Sequence, residues 1–311
     1  MSNFLVTSLF NPELEVPVVL MLLLGSIGYR YFHGPDKRLD RFVMAAALAV
    51  PSQFLAAFCV AGVGLVRPYK FDLYVYWIDN LLGFQPSFAL GHAIMGHFPI
   101  MAPLAVTYHL LAVAIVAIFG GYLWCRSEHE AMSMISVFIL NLTLSIPCYL
   151  LFPVCGPGFA FPNFPALPNG PVVPHTILLN AAANGVPSVH FSTALLIFWY
   201  ARKLPYGRWI GGAYLILTAV ATTASGQHYV FDLLAAVPYA VLMYKLGPFA
   251  TRWMQAAVRV KTPIPAMEPD GGYETPAAIP WRTSVAMVSA TASGTGRPAG
   301  ATIAIRVRRQ K

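Results

Sequence analysis

Long apolar runs are the feature that most constrains this sequence. A helix needs roughly 20 mostly apolar residues to cross the hydrocarbon core of a bilayer. Because 57% of the 311 residues are hydrophobic and only 10% are charged, the chain has too few polar side chains to cover a soluble domain. The sequence therefore predicts an all-α, polytopic transmembrane helix bundle with about six or seven spans. The candidate spans are Val16–Phe32, Phe42–Val66, Phe98–Trp124, Ala131–Phe152, Ser188–Ala201, Trp209–Ala224 and His228–Leu246.

Lysine and arginine are distributed unevenly among the segments that connect these runs. Short cytoplasmic loops retain basic residues, and alternation of seven helices assigns 18 of the 20 basic residues to one side. Only Arg67 and Lys70 fall on the other side. This pattern predicts an external N-terminus, a cytoplasmic C-terminus and external loops after the second, fourth and sixth runs. It also accounts for the net charge of +8 without a nucleic-acid partner.

One acidic residue occurs between Glu130 and Glu268, and it lies inside an apolar run. Ionisable groups within a membrane are costly and are functional candidates by default. This residue is Asp232, and His228 precedes it by four positions, which predicts both side chains on one helical face. The carboxylate would fix the imidazole tautomer and make the other ring nitrogen more nucleophilic. The alternative is a structural pair that neutralises itself.

A second histidine, His190, begins the fifth run after Pro187 and Ser188. A serine at this position can cap a helix, and helix N-termini bind anions. The segment therefore predicts a phosphate cradle beside an imidazole, on the same external side as His228 and Asp232. The 14 residues of Ser188–Ala201 rise about 21 Å against a core of roughly 30 Å, a depth that suits a lipid headgroup.

Two short stretches resemble known signature motifs. Residues 187–190 (Pro-Ser-Val-His) and 228–232 (His-Tyr-Val-Phe-Asp) are similar to the second and third motifs of the type 2 phosphatidic-acid-phosphatase superfamily. They are closest to its inositol phosphorylceramide synthase-like branch. Residues 149–157 look like the variant first motif of that branch, and the resemblance covers about residues 67–246.

The resemblance implies a membrane enzyme with no metal or other cofactor. His228 would be the nucleophile that forms a phosphohistidine, Asp232 its orienting partner, and His190 the acid that protonates the leaving oxygen. The partners would be a lipid phosphate in the bilayer and an acceptor. Water as the acceptor gives a phosphatase, whereas a lipid or polyol hydroxyl gives a phosphotransferase.

The sequence departs from the phosphatase pattern in its cations. Thr222 stands where that pattern has an arginine, and Val60 stands where it has a lysine. Charge on a transferring phosphoryl group is normally stabilised by cationic side chains. We therefore expect Arg67 and Lys70, with Ser188, to bind the substrate phosphate; the alternative is a snorkelling pair at the interface.

The predicted organisation has three parts: N-terminal transmembrane helices at 1–66, a catalytic membrane domain at 67–250 and a disordered, basic cytoplasmic tail at 251–311. Residues 71–84 mix aromatic residues with two aspartates, which predicts an interfacial helix that either roofs the site or serves as a strut. The proline-rich external loop 153–187 carries no formal charge and is a candidate lid.

Several interpretations stay open at this level. The leading function is headgroup transfer of the inositol phosphorylceramide synthase type, and the alternatives are a polyprenyl or phosphatidate phosphatase. A proton-coupled transporter would also use intramembrane His and Asp residues, and a serine protease built on Ser225 is least favoured. Cys148 and Cys155 are expected to be packing residues rather than a disulfide. Four further external histidines are candidate ligands: His92, His97, His109 and His175.

Overall fold

The computed structural model of the protein describes residues 15–34 and 36–260. Eleven helices and two short strands occur in these residues. Most of the predicted C-terminal tail lies outside the described residues. The helices are α1 (Glu15–His33), α2 (Lys37–Val66), α3 (Asp72–Asn80), α4 (Pro86–Ile94), α5 (Phe98–His109), α6 (Leu111–Cys125), α7 (Glu128–Leu151), α8 (Pro157–Ala160), α9 (Val189–Ala201), α10 (Gly207–Ala224) and α11 (Val230–Val260), and the strands are β1 (Tyr69–Lys70) and β2 (Ile177–Leu178).

All seven predicted runs fall on helices, which confirms the all-α membrane bundle. The third run is divided between α5 and α6, which meet at an angle of 58°. Within the described residues, two helices are long and apolar enough to span a bilayer, Glu128–Leu151 and Val230–Arg252, and the bent pair makes a third. Fewer helices meet this test than the six or seven spans predicted. Helix α9, for example, has 13 residues and rises only about 20 Å.

The last helix extends further than expected. Residues 251–260, which the sequence interpretation assigned to the disordered tail, continue α11 to Val260. This part of the chain is rich in residues with good helix propensity, including Met254, Ala256 and Ala257. The predicted boundary of the catalytic domain at residue 250 therefore falls inside a helix.

Helix α9 lies in the middle of the bundle, where it packs against α6, α7, α10 and α11. The main apolar core is formed by these elements and includes Tyr122, Met134, Leu196 and Met243. A buried polar contact also links two of them, because the Asn141 amide donates to Thr193 Oγ1 at 3.0 Å. The core thus holds α9, which carries His190, in a fixed position.

A second apolar cluster packs α3, α4 and the loop after α7 against the residue that precedes α11. Strand β1 pairs with β2 in antiparallel register, which ties this loop to the segment after α2. The candidate lid therefore packs together with α3 and α4 into a cap over the start of α11. The buried residues of this cap and of the segment it covers are Leu73, Val75, Tyr76, Phe88, Val154, Phe161, Phe164 and Tyr229.

Candidate active site

The predicted His228–Asp232 contact is present, but its local structure differs from the expectation. His228 lies in the turn before α11, so the two side chains do not share a helical face. Asp232 is the third residue of α11, and its Oδ2 lies 3.2 Å from His228 Nδ1. The same oxygen accepts the Tyr229 backbone N–H at 3.0 Å. The carboxylate reaches back over the helix start, as acidic residues at this position often do.

His190 is the second residue of α9. Ser188 caps this helix, because its hydroxyl accepts the Phe191 backbone N–H at 3.3 Å. Pro187 precedes the cap rather than occupying the first helical turn. The ring centroids of His190 and His228 lie 6.3 Å apart. The structure therefore brings His190, His228 and Asp232 together at the junction of α9 and α11.

The two helix starts are also joined through the main chain. The Ser188 N–H donates to the Asp232 carbonyl at 3.2 Å. This bond fixes the position of the first turn of α9 relative to the acid that contacts His228. The two imidazoles are therefore held by backbone contacts as well as by side-chain packing.

Two polar atoms at this junction lack a hydrogen-bond partner among the described residues. They are His228 Nε2 and Asp232 Oδ1. The side chains of His228 and Asp232 are only 1% and 0% exposed. Since buried polar atoms are normally paired, these atoms have unused bonding capacity. Both side chains are enclosed in the described structure.

Tyr108 is a site residue that the sequence did not reveal. Its ring stacks on His190 with centroids 4.1 Å apart and planes 15° apart. Tyr108 stands near the end of α5, where the bend at Leu110 turns this end of the helix toward α9. His109, one of the four histidines considered as ligands, is buried beside it. Neither Gly nor Pro stands at the bend, so no local sequence signal predicts it.

The predicted phosphate-binding residues have different environments. Ser188 and Lys70 are buried, whereas Arg67 is exposed. The Lys70 ammonium donates to the Gly64 carbonyl at 3.1 Å and to the Arg67 carbonyl, so it caps the end of α2. Burial lowers the pKa of Lys70, and the nearby Asp72 carboxylate opposes that shift. A direct role for Arg67 and Lys70 at the phosphate stays a prediction.

Helix α3 contributes two buried carboxylates. Asp72 accepts the backbone N–H groups of Cys155 and Gly156, and Asp79 accepts those of Val230 and Phe231. Burial raises the pKa of Asp72 to about 7 and that of Asp79 to about 6, although the bonds from these N–H groups oppose both shifts. The predicted interfacial helix thus turns its acidic residues inward, which supports a role as a strut.

The remaining candidates lie apart from this cluster or are engaged elsewhere. Thr222 is buried, and its hydroxyl donates to the Thr218 carbonyl at 2.9 Å. His92, His97 and His175 are exposed. All four cysteines lie within the described residues and carry free thiols. No group of three His, Cys, Asp or Glu side chains in the described part of the chain is arranged to hold a metal ion.

A comparison with protein families agrees with this grouping of His190, His228 and Asp232. The family model described as the PAP2 superfamily matches residues 73–246, which is more than half of the chain. The chain belongs to the PAP2 superfamily. The matched region runs from α3 into α11 and contains both imidazoles and Asp232. No curated protein and no solved structure matches the sequence.

Membership of the PAP2 superfamily confirms the broader part of the sequence prediction. It supports an integral membrane enzyme of the phosphatase or phosphotransferase type that acts on lipid-type phosphoesters. The finer assignment to the inositol phosphorylceramide synthase-like branch stays a prediction.

Proposed function

We propose that this PAP2 superfamily member transfers the phosphoryl-linked headgroup of a membrane lipid through a phosphohistidine at His228. The observation that carries the proposal is the state of the His228 imidazole. Its Nδ1 is bonded to the Asp232 carboxylate, while its buried Nε2 has no partner among the described residues. An acidic partner on one ring nitrogen leaves the lone pair of the other available for attack at phosphorus.

His190 is the proposed general acid. In the first step the lone pair of His228 Nε2 forms a bond to phosphorus, the ester P–O bond breaks, and the leaving oxygen takes a proton from His190. In the second step the acceptor O–H gives its proton to His190, and its oxygen displaces His228 from phosphorus. The ring separation of 6.3 Å is consistent with both imidazoles addressing one phosphoryl group.

The N-terminus of α9 is the proposed site for the phosphoryl oxygens. The carboxylates of Asp232 and Asp79 already accept the N–H groups of residues 229–231, so the start of α11 offers no vacant donors there. At α9, Ser188 uses its oxygen as an acceptor and retains its hydroxyl proton as a donor. We propose that the positive charges of Arg67 and Lys70, which follow the end of α2, balance the negative charge of the phosphoryl group.

The enclosed site favours transfer to a lipid or polyol hydroxyl over hydrolysis. Exclusion of water protects a reactive phosphohistidine from premature hydrolysis. His228 is fully buried in the described structure. A sphingolipid alcohol is the proposed acceptor, and the active site is proposed to face the extracytoplasmic side, with the C-terminus in the cytoplasm.

The experiment is an assay of the purified protein with labelled phosphatidylinositol, phosphatidylethanolamine, phosphatidic acid and polyprenyl diphosphate, each with and without ceramide. A new phospholipid that appears only with ceramide supports headgroup transfer to the sphingolipid. Release of water-soluble phosphate alone supports a phosphatase and excludes the transferase. Turnover of none of these lipids contradicts the proposal.

A further inference from the structure

The residue just before α11 does not cap the first N–H groups of the helix, although Asp232 within the helix accepts the Tyr229 N–H. The first helical N–H groups have no partner within a helix and are usually satisfied by a short polar side chain just before it. The residue at that position is Tyr229, whose side chain cannot serve in this way. Asp79 of α3 supplies the acceptors instead: its two oxygens accept Val230 N–H and Phe231 N–H, each at 2.9 Å.

The other carboxylate of α3 acts on the same turn indirectly, through residues 155 and 156. Asp72 accepts Gly156 N–H at 2.8 Å, and the segment around Gly156 lies directly on the turn that precedes His228. Gly158 N–H donates to the Gly226 carbonyl at 2.8 Å. Gly156 has a φ of 106°, and a Cβ there would lie 2.2 Å from the Gln227 carbonyl oxygen. Only glycine permits this approach.

The main chain of His228 is itself fixed by hydrogen bonds. Its carbonyl accepts the Ser87 hydroxyl of α4 at 3.1 Å, and its N–H donates to the Thr222 carbonyl at 3.1 Å. Asp72 and Asp79 are seven residues apart, so they lie on one face of α3, and both are at most 2% exposed. The cap thus forms hydrogen bonds on both sides of the proposed nucleophile, to Gly226 before it and to Val230 and Phe231 after it.

We propose that Asp79 is a positioning residue, which holds the start of α11 so that the His228 imidazole points its Nε2 at the substrate phosphorus. Asp72 supports the same turn through residues 155 and 156. The inference rests on the proposed function of His228. Displacement of a reacting group by about 1 Å costs on the order of 100-fold in rate, so loss of the Asp79 bonds slows chemistry even in a folded protein.

The test compares two Asp79 variants of the full-length protein in detergent with the wild type. Asp79→Asn keeps one carbonyl oxygen for the N–H groups, whereas Asp79→Leu keeps the approximate shape and removes both acceptors. We expect kcat to fall about 100-fold in Asp79→Leu and by a smaller factor in Asp79→Asn, with KM unchanged in both. If Asp79→Leu is not recovered as a folded protein, the test rests on Asp79→Asn, in which a lowered kcat with an unchanged KM supports the inference.

Asp36→Asn is the matched control. Asp36 also caps a helix, by accepting Arg38 N–H at 2.8 Å at the start of α2, and it is not part of the site. Its variant should keep the wild-type kcat. Wild-type kcat in both Asp79 variants overturns the inference, as does a loss of activity that only matches a loss of folded protein. Activity that survives in His228→Gln instead overturns the proposed function and is therefore distinguishable.

Discussion

At the scale of single residues, the proposed role of His228 as a nucleophile depends on the unequal environments of its two ring nitrogens. Nδ1 faces the Asp232 carboxylate, and Nε2 is buried without a partner among the described residues. A glutamine at this position has similar polarity but cannot form a stable covalent bond to phosphorus. The difference between the two side chains is therefore chemical rather than structural.

His228→Gln should abolish both hydrolysis and headgroup transfer, because the covalent intermediate cannot form. Turnover of labelled lipid by the purified variant measures this. The control is His33→Gln, at the exposed end of α1, which should retain wild-type turnover. Appreciable activity in His228→Gln would show that another group attacks phosphorus.

Asp232→Asn should leave a small residual activity. The amide keeps the size of the side chain but no longer selects the tautomer with a free Nε2, and such changes lower kcat by about 10³- to 10⁴-fold in enzymes with a histidine base. Single-turnover measurement of phosphohistidine formation reports this step directly. A variant as fast as the wild type would reduce Asp232 to a structural acid.

Tyr108→Leu should slow the release of poor leaving groups. Cation–π attraction from the stacked ring would stabilise the imidazolium form of His190 during the reaction, an effect of about 2- to 30-fold at typical energies. The measurement compares an alkyl phosphate ester with an aryl ester, whose leaving oxygen needs little protonation. Tyr108→Phe keeps the ring and should keep the wild-type ratio of the rates on the two esters. An equal loss on both esters in Tyr108→Leu would contradict an effect through the acid.

At the scale of secondary-structure elements, α3 carries two carboxylates of raised pKa that link the cap to the turn containing His228. The pKa of Asp72 is about 7 and that of Asp79 about 6, whereas both are near 3.9 in an unfolded chain. The folded protein therefore binds protons more tightly than the unfolded chain. This contribution to stability is complete below about pH 4 and is lost as the pH rises through 6 to 7.

The midpoint temperature of thermal unfolding in detergent should consequently decrease between about pH 4 and about pH 7. Asp72→Asn removes the group with the higher pKa and should flatten the upper part of this dependence. The comparison variant is Asp40→Asn, at a partly exposed aspartate in the first turn of α2 that pairs with Arg30. An identical pH slope in Asp72→Asn and in the wild type would contradict the raised pKa of Asp72.

The elements differ in how far the sequence predicts them. Apolar runs predict the long helices because any helix in a bilayer needs apolar side chains, whichever other helices it packs against. The turn at His228 and the bend at Leu110 follow from tertiary contacts, which local sequence does not contain. The inward orientation of the two aspartates of α3 can be predicted from the sequence. Asp72 and Asp79 are seven residues apart and share a helical face with Leu73 and Tyr76.

At the scale of the whole molecule, the bundle has two chemically different ends. One end carries the packed aromatic cap, the two imidazoles and only Arg67 and Lys70 as permanent cations in the described residues. The opposite end carries basic residues between successive helices, such as Arg126, Arg202 and Arg208. This asymmetry supports the prediction that the site faces the extracytoplasmic side.

Sidedness is measured with a membrane-impermeant thiol reagent on intact and permeabilised cells. Cys125, an exposed thiol at the end of α6, should react only after permeabilisation. A cysteine introduced by His175→Cys in the exposed part of the cap should react in intact cells. The reverse pattern would invert the topology.

The role of His228 as the nucleophile is tested most directly by mapping the side chain that carries the covalent intermediate. The purified protein is incubated with a lipid substrate labelled in its phosphate, quenched in base, where phosphohistidine persists, and analysed by mass spectrometry of its peptides. We expect an acid-labile phosphoryl adduct on His228 that retains the lipid headgroup, is absent from His228→Gln and accumulates when the acceptor is withheld. A phosphoryl group on any other side chain, or turnover with no covalent label, would contradict it.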